Sequence, residues 1–336
     1  MKRYRDLMPR IATRENVGLG FHKAALGKRC LPTVRHFMAN FDFEINRIVR
    51  ELTDGSWQPG AYERFQVRDP KVRLIHAAPF RDRVVHHAIM NVCGPLFERG
   101  AVDQSFACRL GRGNLAAVHH AARCAKSRQF FLKLDIRKYF DSVHHETLRG
   151  LFLRRFKDGR LLDLLDRVLT SFETAPGRGL PIGTLTSQYF ANHYLDGMDH
   201  RLMEFLPCPA YARYMDDFVL WHDDEKVLDE WLEEIRAWLG KERQLVLKGA
   251  PQPAPCREGI PFLGYRVLPG RILLGRRARR RFREQLLSHE AAHAAGRMTG
   301  AQLQRCMDAL LAFVQVADCQ KWLHRTLIKR TAILHP

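Results

Sequence analysis

Residues 211–222, YARYMDDFVLWH, set two adjacent aspartates between two short apolar runs. The pattern reads as two strands broken by a tight polar turn at Met215-Asp216-Asp217. A second strand-like run, FFLKLDI (130–136), also closes on an acid, Asp135. Charge at the end of a buried strand is costly unless it is partnered. Each acid has a bland reading, Asp216-Asp217 as a solvated turn and Asp135 as a helix N-cap. If the three carboxylates instead meet, their repulsion calls for divalent cations, and Mg²⁺ with its preference for oxygen donors suits them.

The rest of the pattern mixes strands and helices without a regular βαβ rhythm, which predicts an α+β fold. Helical spacing is expected over 36–52, 81–98, 184–206 and 225–240, and a strand–turn–strand over 62–80 with Asp69-Pro70 at its tip. LVLKG (245–249) reads as a strand. FLGYRVLPGRILLG reads as a hairpin turning at Pro-Gly, and helices follow from Arg276.

Lys and Arg total 55 against 36 acidic residues, a formal net charge of +19 over 336 residues, which favours polyanionic partners. Eight scattered cysteines form no CxxC pair, so neither a zinc framework nor a disulfide scaffold is expected. No apolar run is long enough to span a bilayer and none follows the charged start, so a cytoplasmic protein without membrane association is expected.

Tyr214-Met215-Asp216-Asp217 between apolar strands resembles the palm signature of reverse transcriptases, and further motifs follow that family's order. The resemblance implies a right-hand polymerase with an antiparallel palm sheet and a helical thumb. Its expected divisions are 1–110 for an N-terminal extension and fingers (fingers also 143–186), 111–142 and 187–270 for the palm, and 271–336 for the thumb. LKLDIRKYFDSVHHETL resembles the motif of the first metal-binding aspartate. It implies that Asp135, Asp216 and Asp217, with the Ile136 carbonyl, hold two Mg²⁺ ions, Mn²⁺ being an alternative.

The same resemblance places Lys71 and Arg73 on the incoming triphosphate. Lys138, Tyr139, Phe140, Ile182, Gly183, Gln188 and Met215 fall around the nucleotide, with Phe140 excluding a ribose 2′-OH. Tyr214, Leu263, Gly264 and Tyr265 would hold the primer, and Arg276 and Arg280 the template–primer duplex. Lys248 would be a general acid. GLPIGTLTSQYFANHYLD, with Ile182 before Gly183 and Ser187-Gln188 after it, is similar to the reverse transcriptases of diversity-generating retroelements, a bacterial and phage group. That likeness implies a template RNA, an RNA/cDNA duplex, dNTPs and a small basic accessory protein as partners, with errors chiefly opposite adenine. A retron-like or anti-phage defence enzyme, and an RNA-binding maturase-like protein without polymerase activity, stand as the alternatives.

Overall fold

The computed structural model describes residues 3–334 apart from 70, 207 and 209, with the side chains of 68, 69, 71 and 328–334 also left aside. In chain order come α1 (Met8–Ile11), α2 (Arg14–Ala25), α3 (Pro32–Ala39), α4 (Phe41–Asp54), β1 (Glu63–Asp69), β2 (Lys71–Ala77), α5 (Phe80–Arg99) and α6 (Asn114–Ser127). Next are β3 (Phe130–Asp135), α7 (Tyr139–Ser142), α8 (His145–Arg155), α9 (Gly159–Thr170), α10 (Leu185–Glu204), β4 (Ala210–Tyr214), β5 (Asp217–His222) and α11 (Glu225–Trp238). The chain ends with β6 (Pro253–Pro255), β7 (Ile260–Phe262), β8 (Tyr265–Leu268), β9 (Arg271–Leu274), α12 (Arg276–Ala294), α13 (Gly300–Gln315) and α14 (Gln320–Leu334). The architecture is α+β, with every named strand pairing antiparallel.

Contacts divide the chain into two compact units. The first comprises Met1–Asp103, Ile136–Phe205 and Glu234–Lys248. Its centre is α5, buried along most of Val84–Phe97, with α2 laid against it. Gly20 permits that approach, because a Cβ there would stand 2.7 Å from the Val84 carbonyl oxygen. Phe21 stacks on Phe37 at 5.1 Å and meets Phe80 edge-on at 5.9 Å, locking α2 and α3 to the start of α5. At the other end of α5 the buried Arg155 guanidinium donates to the Leu96 and Phe97 carbonyls, satisfying last-turn acceptors, and pairs with Asp196 at 3.3 Å.

His86, 2% exposed in the middle of α5, is pushed down to about 3 by burial and then by its cationic neighbours. In the unfolded chain the ring protonates below its ordinary value near 6.5, whereas in the fold it stays neutral to about 3. Stability is therefore complete above pH 6.5 and is lost as the pH falls toward 3, by up to ~1.4 kcal/mol per unit from this residue. Urea unfolding at pH 7 and pH 5 is expected to show this acid limb, and His86→Leu to flatten it.

The second unit comprises Gln104–Asp135, Leu206–Glu233 and Gly249–Pro336. It holds a four-stranded sheet of order β4-β5-β3-β6 and a three-stranded sheet of order β7-β8-β9. Ala117, Val118 and Ala121 of α6 belong to one core with Phe131, Val219, Trp221, Phe262, Tyr265 and Val267. Phe282 and Leu286 of α12 and Val314 of α13 extend that core into the C-terminal helices.

Three sequence expectations change. The expected helix over 36–52 breaks at Asn40, whose backbone leaves the helical region and caps α3. LVLKG forms a single bridge, Leu247 to Ile136, instead of a strand. The helix over 225–240 continues as a π-turn, Leu239–Arg243, where the Arg243 guanidinium lies over Trp238 at 4.6 Å. Among the described residues no helix is long and apolar enough to cross a membrane, and all eight cysteines are free.

Candidate active site

The pairing of β3 with β5 sets the geometry of the acids. Phe130 lies opposite His222, and the register runs to Asp135 opposite Asp217. Directly opposed residues share a face, so the two carboxylates leave the same side of the sheet at its end. Tyr214 is opposite Asp217, which leaves Met215 and Asp216 as a two-residue turn. Such turns favour left-handed backbone, and Met215 takes φ +58 without being glycine.

Arg213 holds that strained turn, and no sequence pattern had marked it. It is 1% exposed. Its guanidinium donates to the Met215 carbonyl at 3.2 Å and to Ser105 Oγ at 3.1 Å. Its own backbone is clamped as well, with N donating to the Gln104 carbonyl and O accepting from Phe106 N, both at 2.9 Å. A charge inside the apolar run YARY was the available signal. Arg213→Met is expected to cost ~2–4 kcal/mol of stability and to slow catalysis at least tenfold, with Arg213→Lys a poor substitute because an ammonium does not reproduce the planar fork. Thermal melts combined with an assay of turnover check both effects.

The motif around Asp135 gives Lys133 no role, yet the structure does. Two residues before Asp135 and therefore on the same face, its Nζ lies 2.6 Å from Asp217 Oδ1. Among the described residues no three His, Cys, Asp or Glu side chains stand close enough to hold a metal ion. The donor chemistry nevertheless fits a hard divalent cation, since Asp135 and Asp217 are register partners and Asp216 is their neighbour in the turn.

Another set of expected residues comes together within the first unit. Lys138, exposed and at φ +47, starts α7. Tyr139 is buried, its hydroxyl bonded to the Ala191 carbonyl of α10, so its ring is packing. That anchor leaves Phe140 half-buried, with its carbonyl accepting from Leu180 N at 2.8 Å. The segment from Leu180 then crosses to β2, where His76 N donates to the Ile182 carbonyl at 3.0 Å. Gly183 has φ +115, and a Cβ there would meet Ile75 Cγ2 at 2.9 Å, so backbone and space both require glycine. Thr184 caps α10 by accepting from Ser187 N, and Gln188 stands half-buried in the first turn. Arg73 is exposed on β2; Lys71 begins that strand, and its side chain lies outside the described residues.

The remaining expected residues are placed as follows. Tyr214 is half-buried, and burial raises its phenol. Leu263 and Gly264, both at positive φ, form the turn between β7 and β8. Tyr265 is buried, donates to the Phe313 carbonyl at 2.9 Å, and is pushed up to about 12 by burial, so it ties the hairpin to α13. Arg276 and Arg280 are exposed on α12, Arg280 pairing with Glu284 at 3.4 Å. Ile136 is buried in the bridge to Leu247, which puts exposed Lys248 one residue beyond that bridge.

The sequence is 27% identical to protein YkfC of Escherichia coli K12 over 287 residues, covering 70% of this chain and 74% of the relative. It is 25% identical over 170 residues to the group II intron-encoded protein LtrA of Lactococcus lactis subsp. cremoris, covering 48% of this chain and 28% of LtrA. Among solved structures, apo telomerase of Candida tropicalis superposes with a TM-score of 0.49 at 9% identity, over 65% of this chain and 49% of that one. The family profile described as Reverse transcriptase (RNA-dependent DNA polymerase) matches residues 67–250, more than half of the sequence and inclusive of all three aspartates. With those acids at one end of an antiparallel sheet, the chain belongs to the reverse transcriptase family.

Proposed function

We propose that this chain is the reverse transcriptase of a diversity-generating retroelement, copying a template-repeat RNA into adenine-mutagenised cDNA. The observation that carries the polymerase reading is the Asp135–Asp217 register with Asp216 in the intervening turn. Asp135, Asp216 and Asp217, with the Ile136 carbonyl, would hold two Mg²⁺ or Mn²⁺ ions. Bound there, those ions would supply activation of the primer hydroxyl and stabilisation of the leaving oxygen. Lys71 and Arg73 neutralise the triphosphate, Gln188 and Met215 border the nucleotide, and Lys248 protonates the leaving pyrophosphate. Tyr214, Leu263 and Gly264 hold the primer end, with Tyr265 fixing their hairpin.

In this reading residues 1–110 and 143–186 are extension and fingers, 111–142 and 187–270 palm, and 271–336 a thumb whose Arg276 and Arg280 meet duplex phosphates. The subtype rests on Ile182. It is half-buried and its backbone is fixed to β2, where a polar side chain could hydrogen-bond the inserted nucleotide. Isoleucine offers only shape, and a missing polar contact costs discrimination. A small basic accessory protein belongs to the same reading.

Primer extension on a defined RNA template with dNTPs and Mg²⁺, followed by product sequencing, tests it. Errors concentrated opposite template adenine are expected, and Ile182→Gln is expected to lower them ~10-fold. Accurate synthesis by the wild type would move the assignment to a retron-like or defence enzyme. Absent synthesis with an accessory protein supplied would favour an RNA-binding, maturase-like protein, a reading that the similarity to intron-encoded LtrA keeps in play.

A further inference from the structure

Lys133 interrupts the apolar strand FFLKLD, where alternation would otherwise place a core residue above the sheet. Its side chain is 24% exposed and that of Asp217 25%, so the ion pair is half-buried, shielded from solvent only in part. The head group has a second partner. Nζ lies 5.8 Å from the ring centroid of Phe262, which is 1% exposed and closes β7 opposite Tyr265. A cation held between a carboxylate and an aromatic face has little freedom to swing away. One ammonium therefore joins the second aspartate of the turn to the hairpin bearing Leu263 and Gly264.

We infer that Lys133 is a positioning residue of the catalytic centre, orienting the Asp217 carboxylate and competing with divalent cations for it. The inference rests on the metal-holding role assigned above to the aspartates. Its consequences are opposed in sign. A divalent ion approaching Asp217 meets the positive charge already there, so Lys133 weakens metal binding. The same contact fixes the carboxylate and the hairpin, so its loss slows the chemical step even when metal is saturating. A residue that only supported the fold would not tighten metal binding when removed.

The test is titration of full-length protein with Mn²⁺, read by electron paramagnetic resonance, beside single-turnover primer extension at saturating metal. Lys133→Met is expected to bind Mn²⁺ at least ~5-fold more tightly and to extend at least ~10-fold more slowly. Lys133→Arg, which keeps the charge, should return both values toward wild type. Thermal melting verifies folding, and Lys133→Gln replaces the Met variant if that one melts below the assay temperature. Unchanged or weaker Mn²⁺ binding in the folded variant, or wild-type extension at saturating metal, would overturn the inference. Wild-type protein that binds no Mn²⁺ would overturn it together with the metal assignment. Wild-type protein that binds Mn²⁺ but extends no primer would count against the polymerase reading alone, and the Mn²⁺ comparison would still decide the role of Lys133.

Discussion

Asp216→Asn combined with Asp217→Asn is expected to lower primer extension by on the order of 10⁴-fold, while binding of a template–primer duplex stays within about threefold of wild type. The amide keeps the size of each side chain and can still hydrogen-bond, but it removes two negative charges from the end of the β3–β5 pairing. Charge is what a hard cation requires of its ligands, so the loss falls on the catalytic step. Duplex affinity is expected to come from phosphate contacts, to which the exposed arginines of α12 contribute and which this change leaves alone. Stability should move little, because the Lys133–Asp217 pair is partly solvated and such pairs contribute ~1 kcal/mol or less. Quenched-flow extension and filter binding on the same preparations separate the two quantities. Extension within tenfold of wild type would remove these acids from the chemistry, and a parallel collapse of duplex binding would show that the variant had lost its fold.

The parts of this site that could be read in advance share one property, a local pattern that fixes their neighbours. Asp216 and Asp217 sit between two apolar runs of similar length, and a strand–turn–strand of that size leaves one register. FFLKLD is short and apolar, so Asp135 at its end was legible, and pairing with β5 followed once both runs were buried. What escaped was long-range. That Arg213 reaches Ser105, 108 positions away, depends on the backbone around Gln104 and Phe106 lying beside β4, which no periodicity encodes. Tyr139 and Tyr265 look like surface recognition residues within their motifs. Their hydroxyls instead satisfy the Ala191 and Phe313 carbonyls, partners on helices 52 and 48 residues distant. Local propensity also misled over 36–52, where apolar spacing continues through Asn40 although the backbone turns there, and in LVLKG, where β-rich composition yields one bridge.

Phe140→Ala is expected to raise incorporation of ribonucleotides relative to deoxyribonucleotides by about 100-fold or more, with deoxyribonucleotide use reduced only several-fold. A side chain can exclude one hydroxyl only if its backbone does not yield, and the surroundings of Phe140 meet that condition. Tyr139 before it is anchored to α10, its own carbonyl accepts from Leu180 N, and its ring meets that of Tyr139 edge-on at 5.7 Å. Leu180 leads within two residues to Ile182, whose carbonyl accepts from His76 N of β2, so one backbone hydrogen bond holds Phe140 and another holds the Ile182–Gly183 segment a short stretch of chain away. Truncation to alanine removes the ring and leaves that framework standing, because the bonds that hold it are made by main chain and by Tyr139. Half-burial of Phe140 limits the stability cost to ~1–3 kcal/mol, below that of emptying a full core site. Single-nucleotide extension with each dNTP and its rNTP counterpart gives the ratio directly. If the ratio stays within threefold of wild type while the melting temperature falls sharply, Phe140 is a packing residue and sugar discrimination resides elsewhere. If it rises as expected, Phe140 borders the sugar of the incoming nucleotide, and Ile182 becomes the next position to test for an effect on fidelity.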